Sequence, residues 1–302
     1  MDEHELKPKI KTTAELVCFA RAAGALETDP GVRNPDHLAR DLIRWRFRLV
    51  LLPGVRALAE KLYDLLVPGM YLYHQARTRH LDGIVVRELA DRVPQFVILG
   101  AGLDSRAYRF RPQLGSTRVF EVDHPATAAW KQERLNRWGG DYRHVTFISV
   151  DFTVDSLAQR LTAAGWDPHR RTLFLLEGVS YYLTEAALRQ TMTVLGTAAA
   201  DSGLAFDFFD RRALDDPAGF FGAREFIPYA ARKGEPILFG IAPAAVVPFL
   251  REYGFAPVSI TLSNGLQQHL RLADGSLRGR ICEFFGIVHA RRIPHPPMSM
   301  HR

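Results

Sequence analysis

A glycine-rich segment followed by a carboxylate is the first feature of the sequence with recognisable chemistry. Gly100, Ala101 and Gly102 come directly after the apolar run 96–99, and Asp123 ends the next apolar run, 21 positions beyond the second glycine. Glycines at a turn between a strand and a helix let the backbone approach a ligand closely. A carboxylate at the end of the next strand can accept hydrogen bonds from both hydroxyl groups of a ribose. The spacing therefore predicts a nucleoside-binding site.

Four further side chains are candidates for the same site because they also lie at the ends of predicted elements. Asp151 and Phe152 follow the run 145–150, where a carboxylate can accept from an exocyclic amine and a ring can stack on a purine. Glu177 follows the run 172–176. Arg77 ends the helical region before the first strand, and an arginine can hold a carboxylate through two parallel hydrogen bonds.

Motifs of other nucleotide-binding and hydrolytic classes are absent from the sequence. Ser105 stands where the dinucleotide fingerprint has a third glycine or alanine. The Gly-Lys-Ser/Thr phosphate loop and the Gly-x-Ser-x-Gly nucleophile motif do not occur. These absences disfavour NAD, nucleoside triphosphates and serine hydrolysis. Two rival classes stay open, a NAD-dependent oxidoreductase on the same sheet and a non-catalytic binding protein of the same fold.

The apolar patterning predicts the elements that position these residues. Strand-like runs alternate with helical patterns, and two further strand-like runs follow at 257–262 and 281–290. The alternating strands are expected at 96–99, 119–122, 145–150, 172–176 and 204–209, and the helices at 127–138, 155–164 and 185–200. This alternation predicts an α/β fold with a seven-strand, mostly parallel sheet covered by helices on both faces.

The chain divides into four segments that we expect to form one domain over 1–302. Residues 1–90 are predicted to form a helical cap, with helices over 14–25 and 35–52, and residues 95–210 to form the ligand-binding core. The insertion 211–243, rich in prolines and phenylalanines, is predicted to be a loop-rich lid. Residues 244–293 are expected to complete the sheet, with a helix over 244–253 and a frayed tail around Pro294, Pro296 and Pro297.

Composition limits the partners of the chain. The 302 residues are 47% hydrophobic and 24% charged, as in ordinary globular proteins. The net charge of +6 comes from scattered arginines, so nucleic acid is not an expected partner. Two cysteines exclude a disulfide framework and a four-cysteine zinc site. With a charged start at 1–7 and no long apolar run, we expect a cytoplasmic protein without a membrane partner. The sequence does not indicate an oligomeric state.

The motifs together resemble those of the leucine carboxyl methyltransferase family. They are the segment from Leu99 to Arg106, Glu121-Val122-Asp123, Val150-Asp151-Phe152 and the segment from Glu177 to Leu183. Members of this family are S-adenosylmethionine-dependent enzymes of the seven-strand, Rossmann-like class I fold, and they include bacterial O-methyltransferases of secondary metabolism. The resemblance covers about 13–209 and is weak over the insertion and the last strands.

The resemblance implies a role for each matching residue. Arg77 would hold the carboxylate of the methionine part, and Gly100, Ala101 and Gly102 would wrap its amino-acid end. Asp123 would bind the ribose.

On the adenine side, the resemblance places Asp151 and Phe152. Glu177 would lie at the methionine ammonium group, close to the transferable methyl. Glu121 and Arg106 also match family motifs, and we expect them to brace the site.

We expect the methyl acceptor to be a small-molecule or peptide-like metabolite, and we expect the acceptor group to be a carboxylate. A carboxylate is already ionised and needs no general base, whereas a phenol benefits from one. A polyketide-type phenol or hydroxyl acceptor remains the alternative. No residue is assigned a catalytic role with certainty, although Tyr181 and Tyr182 are candidates for positioning the acceptor, and no metal is expected. Arg21 lies near the position at which the family has a second cationic contact to the cofactor. His124 also matches a common family residue, and we expect it to support the structure of the cofactor site.

Overall fold

A seven-stranded sheet organises the protein. The computed structural model describes residues 12–152 and 154–294, so the charged start and Pro296 and Pro297 lie outside the described residues. The strand order is β3-β2-β1-β4-β5-β7-β6. The strands are β1 (Gln95–Leu99), β2 (Arg118–Asp123), β3 (Val145–Ser149), β4 (Thr172–Leu176), β5 (Gly203–Phe209), β6 (Phe255–Leu262) and β7 (Phe285–Arg292). Strands β1 to β5 run parallel, and β7 pairs antiparallel with both β5 and β6. The predicted α/β fold with a mostly parallel sheet is confirmed.

Helices of very different length surround the sheet. The cap contains α1 (Thr12–Gly24), α2 (Ala39–Leu42), α3 (Trp45–Val50), α4 (Val55–Leu66) and α5 (Met70–Ala90). The core adds α6 (Arg106–Arg109), α7 (Arg111–Leu114), α8 (Pro125–Trp138), α9 (Leu157–Ala163) and α10 (Glu185–Leu195). The rest of the described chain has α11 (Arg211–Asp215), α12 (Ala223–Arg232), α13 (Pro243–Glu252) and α14 (Ser263–Leu266). The part of the chain that the structure describes also has three short 3-10 helices, at Ser180–Tyr182, Pro217–Gly219 and Gln267–Leu270. Within the described ranges no helix is long and apolar enough to cross a membrane.

The two faces of the sheet pack into two separate apolar cores. Strands β1 and β4 are buried along their whole length, and β5 is buried throughout, because each is almost entirely apolar. One core contains the side chains of Phe96 and Ile98 with much of α5, and the other contains Val97 and Leu99 with α10 and α13. Alternate residues of each strand point to opposite faces, so every central strand contributes to both cores.

The cap differs from its predicted form between 35 and 52. The apolar spacing predicts one helix there, but the structure has α2 and α3 separated by an extended residue, Ile43. The side chain of Ile43 is fully buried, and the adjacent Arg44 places its Nε 2.8 Å from Oε1 of Glu15 on α1. The backbone is extended at Ile43 and Arg44, and these tertiary contacts hold the two residues at the interruption of the predicted helix.

The insertion 211–243 is more helical than predicted. It contains α11, α12 and a short 3-10 helix, and Pro228 lies within α12. The ring of Phe226 is buried and stacks on Phe284, with centroids 5.2 Å apart. The prediction of a loop-rich segment is therefore wrong over α11 and α12, and Phe226 of α12 packs into the core. Smaller differences occur at the helix predicted over 185–200, which ends at Leu195, and at the last strand, which begins at Phe285.

The carboxyl ends of β1 to β4 meet at one edge of the sheet. Leu99 at the end of β1 lies opposite Val122 of β2 and Leu176 of β4, and Asp123 lies opposite Ser149 of β3. The chain leaves β1 and builds outwards on one side through β2 and β3, then returns to the other side with β4. In open α/β sheets, ligands bind in the crevice beside this change of direction.

Candidate functional site

The turn after β1 requires its glycines. Gly100 and Gly102 have φ of +65° and +42°, in the left-handed region that side chains disfavour. A Cβ atom on Gly100 would lie 2.3 Å from Cγ2 of Val179. The N–H of Ala101 donates to the carbonyl oxygen of Val122 at 3.1 Å, which fixes the turn against β2. The turn can thus approach a ligand with backbone alone.

Asp123 lies beside this turn, as the 21-residue spacing predicts. Its Oδ2 accepts from the N–H of Gly102 at 2.5 Å, and its Oδ1 accepts from the N–H of His124 at 2.7 Å. The side chain is half-buried at the crevice. The His124 ring accepts from the N–H of Ala126 and caps α8, so this imidazole holds the start of the helix.

Asp151 and Phe152 follow β3, next to Asp123. The N–H of Val150 donates to the carbonyl oxygen of Asp123 at 2.9 Å, and the N–H of Asp151 donates to Asp155 at 2.9 Å. Asp151 and Phe152 are half-buried. The two residues expected on the adenine side therefore lie next to the residue expected on the ribose.

Glu177 is held between two arginines at the end of β4. Its Oε1 lies 2.9 Å from Nε of Arg77, and its Oε2 lies 2.5 Å from Nη1 of Arg106. Burial raises the pKa of Glu177, but the charges of Arg106, Arg77 and Arg21 lower it by more than burial raises it. The pKa of Glu177 therefore lies well below the ordinary value. The carboxylate is ionised at neutral pH.

Arg77 connects Glu177 with a second, deeper carboxylate. Its Nη1 lies 2.7 Å from Oδ2 of Asp207, a fully buried residue of β5. Asp207 also accepts from the N–H of Gly178 at 2.8 Å and from the hydroxyl of Tyr181 at 3.4 Å. Burial raises the pKa of Asp207, and the charge of Arg77 opposes that rise. Arg77 is therefore part of a buried ion network as well as a wall of the crevice.

Two residues expected to brace the site are both buried in ion pairs. Arg106 is fully buried, with Nε 2.7 Å from Asp82 and Nη1 2.5 Å from Asp104. Glu121 is buried, with Oε2 2.7 Å from Nζ of Lys131, and burial raises the pKa of Glu121 to about 7. Both arrangements fix the elements around the glycine turn.

Arg21 also reaches this region from α1. Its Nη2 donates to the carbonyl oxygen of Leu103 at 2.8 Å, just after the glycine turn, and its Nη1 lies 3.3 Å from Asp36. The side chain lines the crevice but is already engaged with a carboxylate.

One cavity of about 350 Å³ brings all the predicted site residues together. A volume of this order is typical of small-molecule sites. The lining includes Arg77, Gly100, Ala101, Gly102, Asp123, Asp151, Phe152, Glu177, Tyr181 and Tyr182. The structure places these residues around one cavity, whereas the group that each of them binds stays a prediction.

Sequence reasoning missed several residues on the cavity wall. They come from the cap and the insertion and are Tyr63, His74 and Glu235. The hydroxyl of Tyr63 lies 3.0 Å from Nε2 of His74, whereas Nδ1 of His74 is buried and has no hydrogen-bond partner among the described residues. Burial lowers the pKa of His74 well below its ordinary value, and the charge of Arg77 adds to this, so the imidazole is neutral. The position of His74 three residues before Arg77 on α5 was the only signal in the sequence.

Comparison with known proteins identifies the family. The leucine carboxyl methyltransferase family model matches residues 14–196. A Mycolicibacterium smegmatis protein, provisionally named an S-adenosyl-L-methionine-dependent methyltransferase, is 32% identical over 223 residues, which cover 72% of this chain and 73% of that protein. The Bacillus subtilis protein YktD, with the same provisional name, is 32% identical over 164 residues. That match spans about half of each protein, 54% in both cases.

Solved structures share the fold at low sequence identity. A DUF574 family protein from Streptomyces avermitilis has a TM-score of 0.58 at 16% identity, covering 80% of this chain and 91% of that chain. A protein from Thermobifida fusca, provisionally titled a methyltransferase, has a TM-score of 0.54 at 16% identity, covering 80% and 90%. The chain therefore belongs to the leucine carboxyl methyltransferase family and is an S-adenosylmethionine-dependent methyltransferase with the class I fold.

Proposed function

We propose that this methyltransferase acts on an oxygen atom of a small-molecule or peptide-like acceptor. The observation that carries the proposal is the division of the cavity along the sheet edge. The glycine turn, Asp123 and Asp151 lie at the carboxyl ends of β1, β2 and β3, whereas Tyr182 follows β4 and Phe226 lies beyond β5. The first group suits a nucleoside, and the second offers an aromatic wall for an acceptor.

The residues of the first group fit S-adenosylmethionine. The glycine turn leaves a cradle without side chains, Asp123 lies beside it for the ribose, and ionised Glu177 suits an ammonium group. Among the described contacts, Arg77 uses Nε and Nη1, which leaves Nη2 for the methionine carboxylate. Bound S-adenosylmethionine supplies a methyl group on a positively charged sulfur, activated for in-line attack. The protein's task is to hold the acceptor oxygen about 3 Å away and to exclude water.

In this proposal, residues 211–243 cover the cavity and exclude water from it. Tyr229, Ala230 and Glu235 of this segment line the cavity, while Phe226 anchors it to the core. We propose that the segment closes over the bound ligands as a partly helical lid.

The name of the family supports a carboxylate acceptor, and so does the fact that an ionised carboxylate needs no general base. The charges on the cavity wall do not favour it. Among the described residues, the arginines that line the cavity are Arg21 and Arg77, and both already contact carboxylates. An acidic residue, Glu235, also lies on the wall. A second carboxylate would enter a site whose cations are already paired.

A hydroxyl or phenol acceptor is favoured by His74. In the neutral tautomer whose Nε2–H donates to the hydroxyl oxygen of Tyr63, Nδ1 of His74 has a free lone pair and no partner among the described residues. It can then accept a proton from an acceptor hydroxyl. The surrounding Tyr63, Phe226 and Tyr229 suit a planar ring. We therefore propose a hydroxyl or phenol acceptor ahead of the carboxylate that the sequence argument favoured.

The stability of the product to alkali tests the acceptor class. With methyl-labelled S-adenosylmethionine and an extract of small metabolites, we expect the label in a product that resists mild alkali, as an aryl or alkyl methyl ether does. A methyl ester would instead release labelled methanol under the same conditions. Label found on nitrogen or carbon by mass spectrometry would contradict oxygen transfer altogether.

Replacement of His74 by glutamine tests the base. Once a hydroxyl acceptor is in hand, we expect His74→Gln to lower kcat by about 10²-fold or more, with KM changed much less. Because the pKa of His74 is well below 6.5, the wild-type rate should stay on its plateau down to pH values well below 6.5. Tyr63→Phe, which keeps the imidazole but removes its Nε2 partner, is the matched control and should lower kcat less. Equal kcat for wild type and His74→Gln would exclude this role.

A further inference from the structure

A second concave site lies between the cap and α8, away from the methyltransferase cavity. It is a groove of about 400 Å³ and shares no lining residue with that cavity. Asp41 and Ile43 form part of its wall. The rest of the wall is five arginines and an indole, namely Arg44, Arg46, Arg48, Arg134, Arg137 and Trp45. We call it the arginine groove.

Arg134 is the unusual member of the arginine groove. The residue is only 8% exposed, yet its guanidinium has no ion pair or hydrogen bond among the described residues, and its Nε is buried without a partner. The guanidinium instead lies over the ring of Trp130, with 4.3 Å between Cζ and the centroid. Burial lowers the pKa of Arg134, Glu15 opposes this, and Arg44 and Arg137 lower it further. A largely buried cation that makes no ion pair is unfavourable, and a bound anion would relieve this cost.

The neighbouring arginines do not relieve this imbalance. Arg44, Arg48 and Arg137 have carboxylate partners in Glu15, Asp41 and Glu133, at 2.8, 3.7 and 2.5 Å. Arg46 has no ion pair among the described residues and lies over the ring of Phe47. After these pairs are counted, two positive charges remain in one groove.

We propose that the arginine groove binds the phosphate group of a second ligand. A phosphate carries up to two negative charges, which matches the two arginines without carboxylate partners. Guanidinium groups bind phosphate through paired, directed hydrogen bonds, which suits the unsatisfied Nε of Arg134. This assignment does not depend on the identity of the methyl acceptor.

The surface beside the arginine groove gives the ligand an apolar part. The indole of Trp45 is 74% exposed on the wall, and Leu49, one turn further along α3, is 56% exposed. Exposed apolar groups next to a cationic groove fit a phosphorylated organic molecule. The phosphate belongs either to a soluble metabolite or to a lipid headgroup, and the two sources differ in the assay.

Direct binding by the full chain tests the proposal without an activity assay. Tripolyphosphate represents the soluble source, and vesicles of phosphatidate in phosphatidylcholine represent the lipid source, with pure phosphatidylcholine as the blank. We expect saturable binding of at least one of them, and we expect Arg134→Gln to weaken it about tenfold or more. Arg46→Gln, at an exposed position, should weaken it about threefold or more. Arg143→Gln removes the same charge from a 90% exposed side chain outside the groove and should bind as wild type does.

Thermal denaturation provides a second readout. In the absence of phosphate, Arg134→Gln should have a Tm equal to or above that of the wild type, because a buried uncompensated charge is removed. The bound anion should raise the Tm of the wild type and leave that of the variant nearly unchanged.

The outcomes decide the proposal and the source of the phosphate. Binding of tripolyphosphate that requires Arg134 supports a soluble ligand. Binding of phosphatidate vesicles alone, again requiring Arg134, supports a lipid headgroup. No binding of either probe by the wild type, or equal binding by wild type and Arg134→Gln, overturns the proposal. These binding experiments do not measure methyl transfer, so their outcomes do not depend on whether the proposed oxygen methylation is correct.

Discussion

Arg77→Met is expected to lower the free energy of unfolding by about 3–5 kcal/mol, the usual effect of breaking a buried ion pair from one side. The guanidinium of Arg77 compensates the carboxylates of Glu177 and Asp207. In the variant, Glu177 retains its contact with Arg106. Asp207 is fully buried and loses the cation that neutralises it, retaining only hydrogen bonds from neutral groups such as the N–H of Gly178.

The loss of stability in Arg77→Met should depend on pH in a defined direction. Burial already raises the folded-state pKa of Asp207, and removal of Arg77 takes away the charge that opposes this rise. A carboxyl group whose folded pKa is raised binds protons more readily when folded, so acidification through that pKa favours the folded state. Urea unfolding should therefore show the largest difference from wild type at neutral pH and a smaller difference at pH 5.

The double variant Arg77→Met/Asp207→Asn is the matched control. It removes both charges of the pair, so its stability should exceed that of Arg77→Met by roughly 1 kcal/mol or more. The single variant Asp207→Asn completes the comparison. If the loss of unfolding free energy in the double variant equals the sum of the losses in the two single variants, the pair is not coupled. Equal stability of Arg77→Met and wild type would show that Arg77 does not compensate Asp207.

Asp123→Ala is expected to weaken binding of S-adenosylhomocysteine about tenfold or more. The carboxylate accepts from the N–H of Gly102 and lies where a ribose is expected, and a hydrogen bond to a charged group contributes about 1.5–3 kcal/mol. Adenosine carries the same ribose, so its affinity should fall by a similar factor. Isothermal titration calorimetry measures both values.

Asp141→Ala is the control for Asp123→Ala. It also removes one carboxylate, but from a half-exposed surface position outside the cavity, so the affinity for S-adenosylhomocysteine should stay at the wild-type value. An unchanged dissociation constant in Asp123→Ala would contradict the ribose assignment. A loss for S-adenosylhomocysteine without a loss for adenosine would place Asp123 at the methionine part instead.

Much of the fold follows from local features of the sequence. The central strands are short, nearly uninterrupted apolar runs, and the turn after β1 is marked by glycines that the backbone requires at positive φ. The two misread segments depend on contacts between distant parts of the chain. The helix expected over 35–52 is broken where Arg44 meets Glu15, and α12 is anchored by the packing of Phe226 on Phe284.

The candidate site divides in the same way. The glycine turn and the carboxylates at the strand ends occur at fixed spacings in the sequence. The cofactor side of the cavity could therefore be located from the sequence. Asp207, His74 and Glu235 could not be assigned. The role of Asp207 depends on Tyr181 and Arg77, which lie 26 and 130 positions away in the chain. The roles of His74 and Glu235 depend on the shape of the cavity. Asp207 did leave one trace, since it is the charged residue within the apolar run 204–209.

The long helix α5 makes the two halves of the cavity mechanically dependent on each other. His74 on the acceptor side and Arg77 on the cofactor side lie three residues apart, on one face of a single helix. A ligand that orders this helix at one of the two residues would therefore also order it at the other. We therefore expect each ligand to raise the affinity of the protein for the other by the same factor, as thermodynamic linkage requires. An acceptor would then be retained most strongly when the methyl donor is already in place.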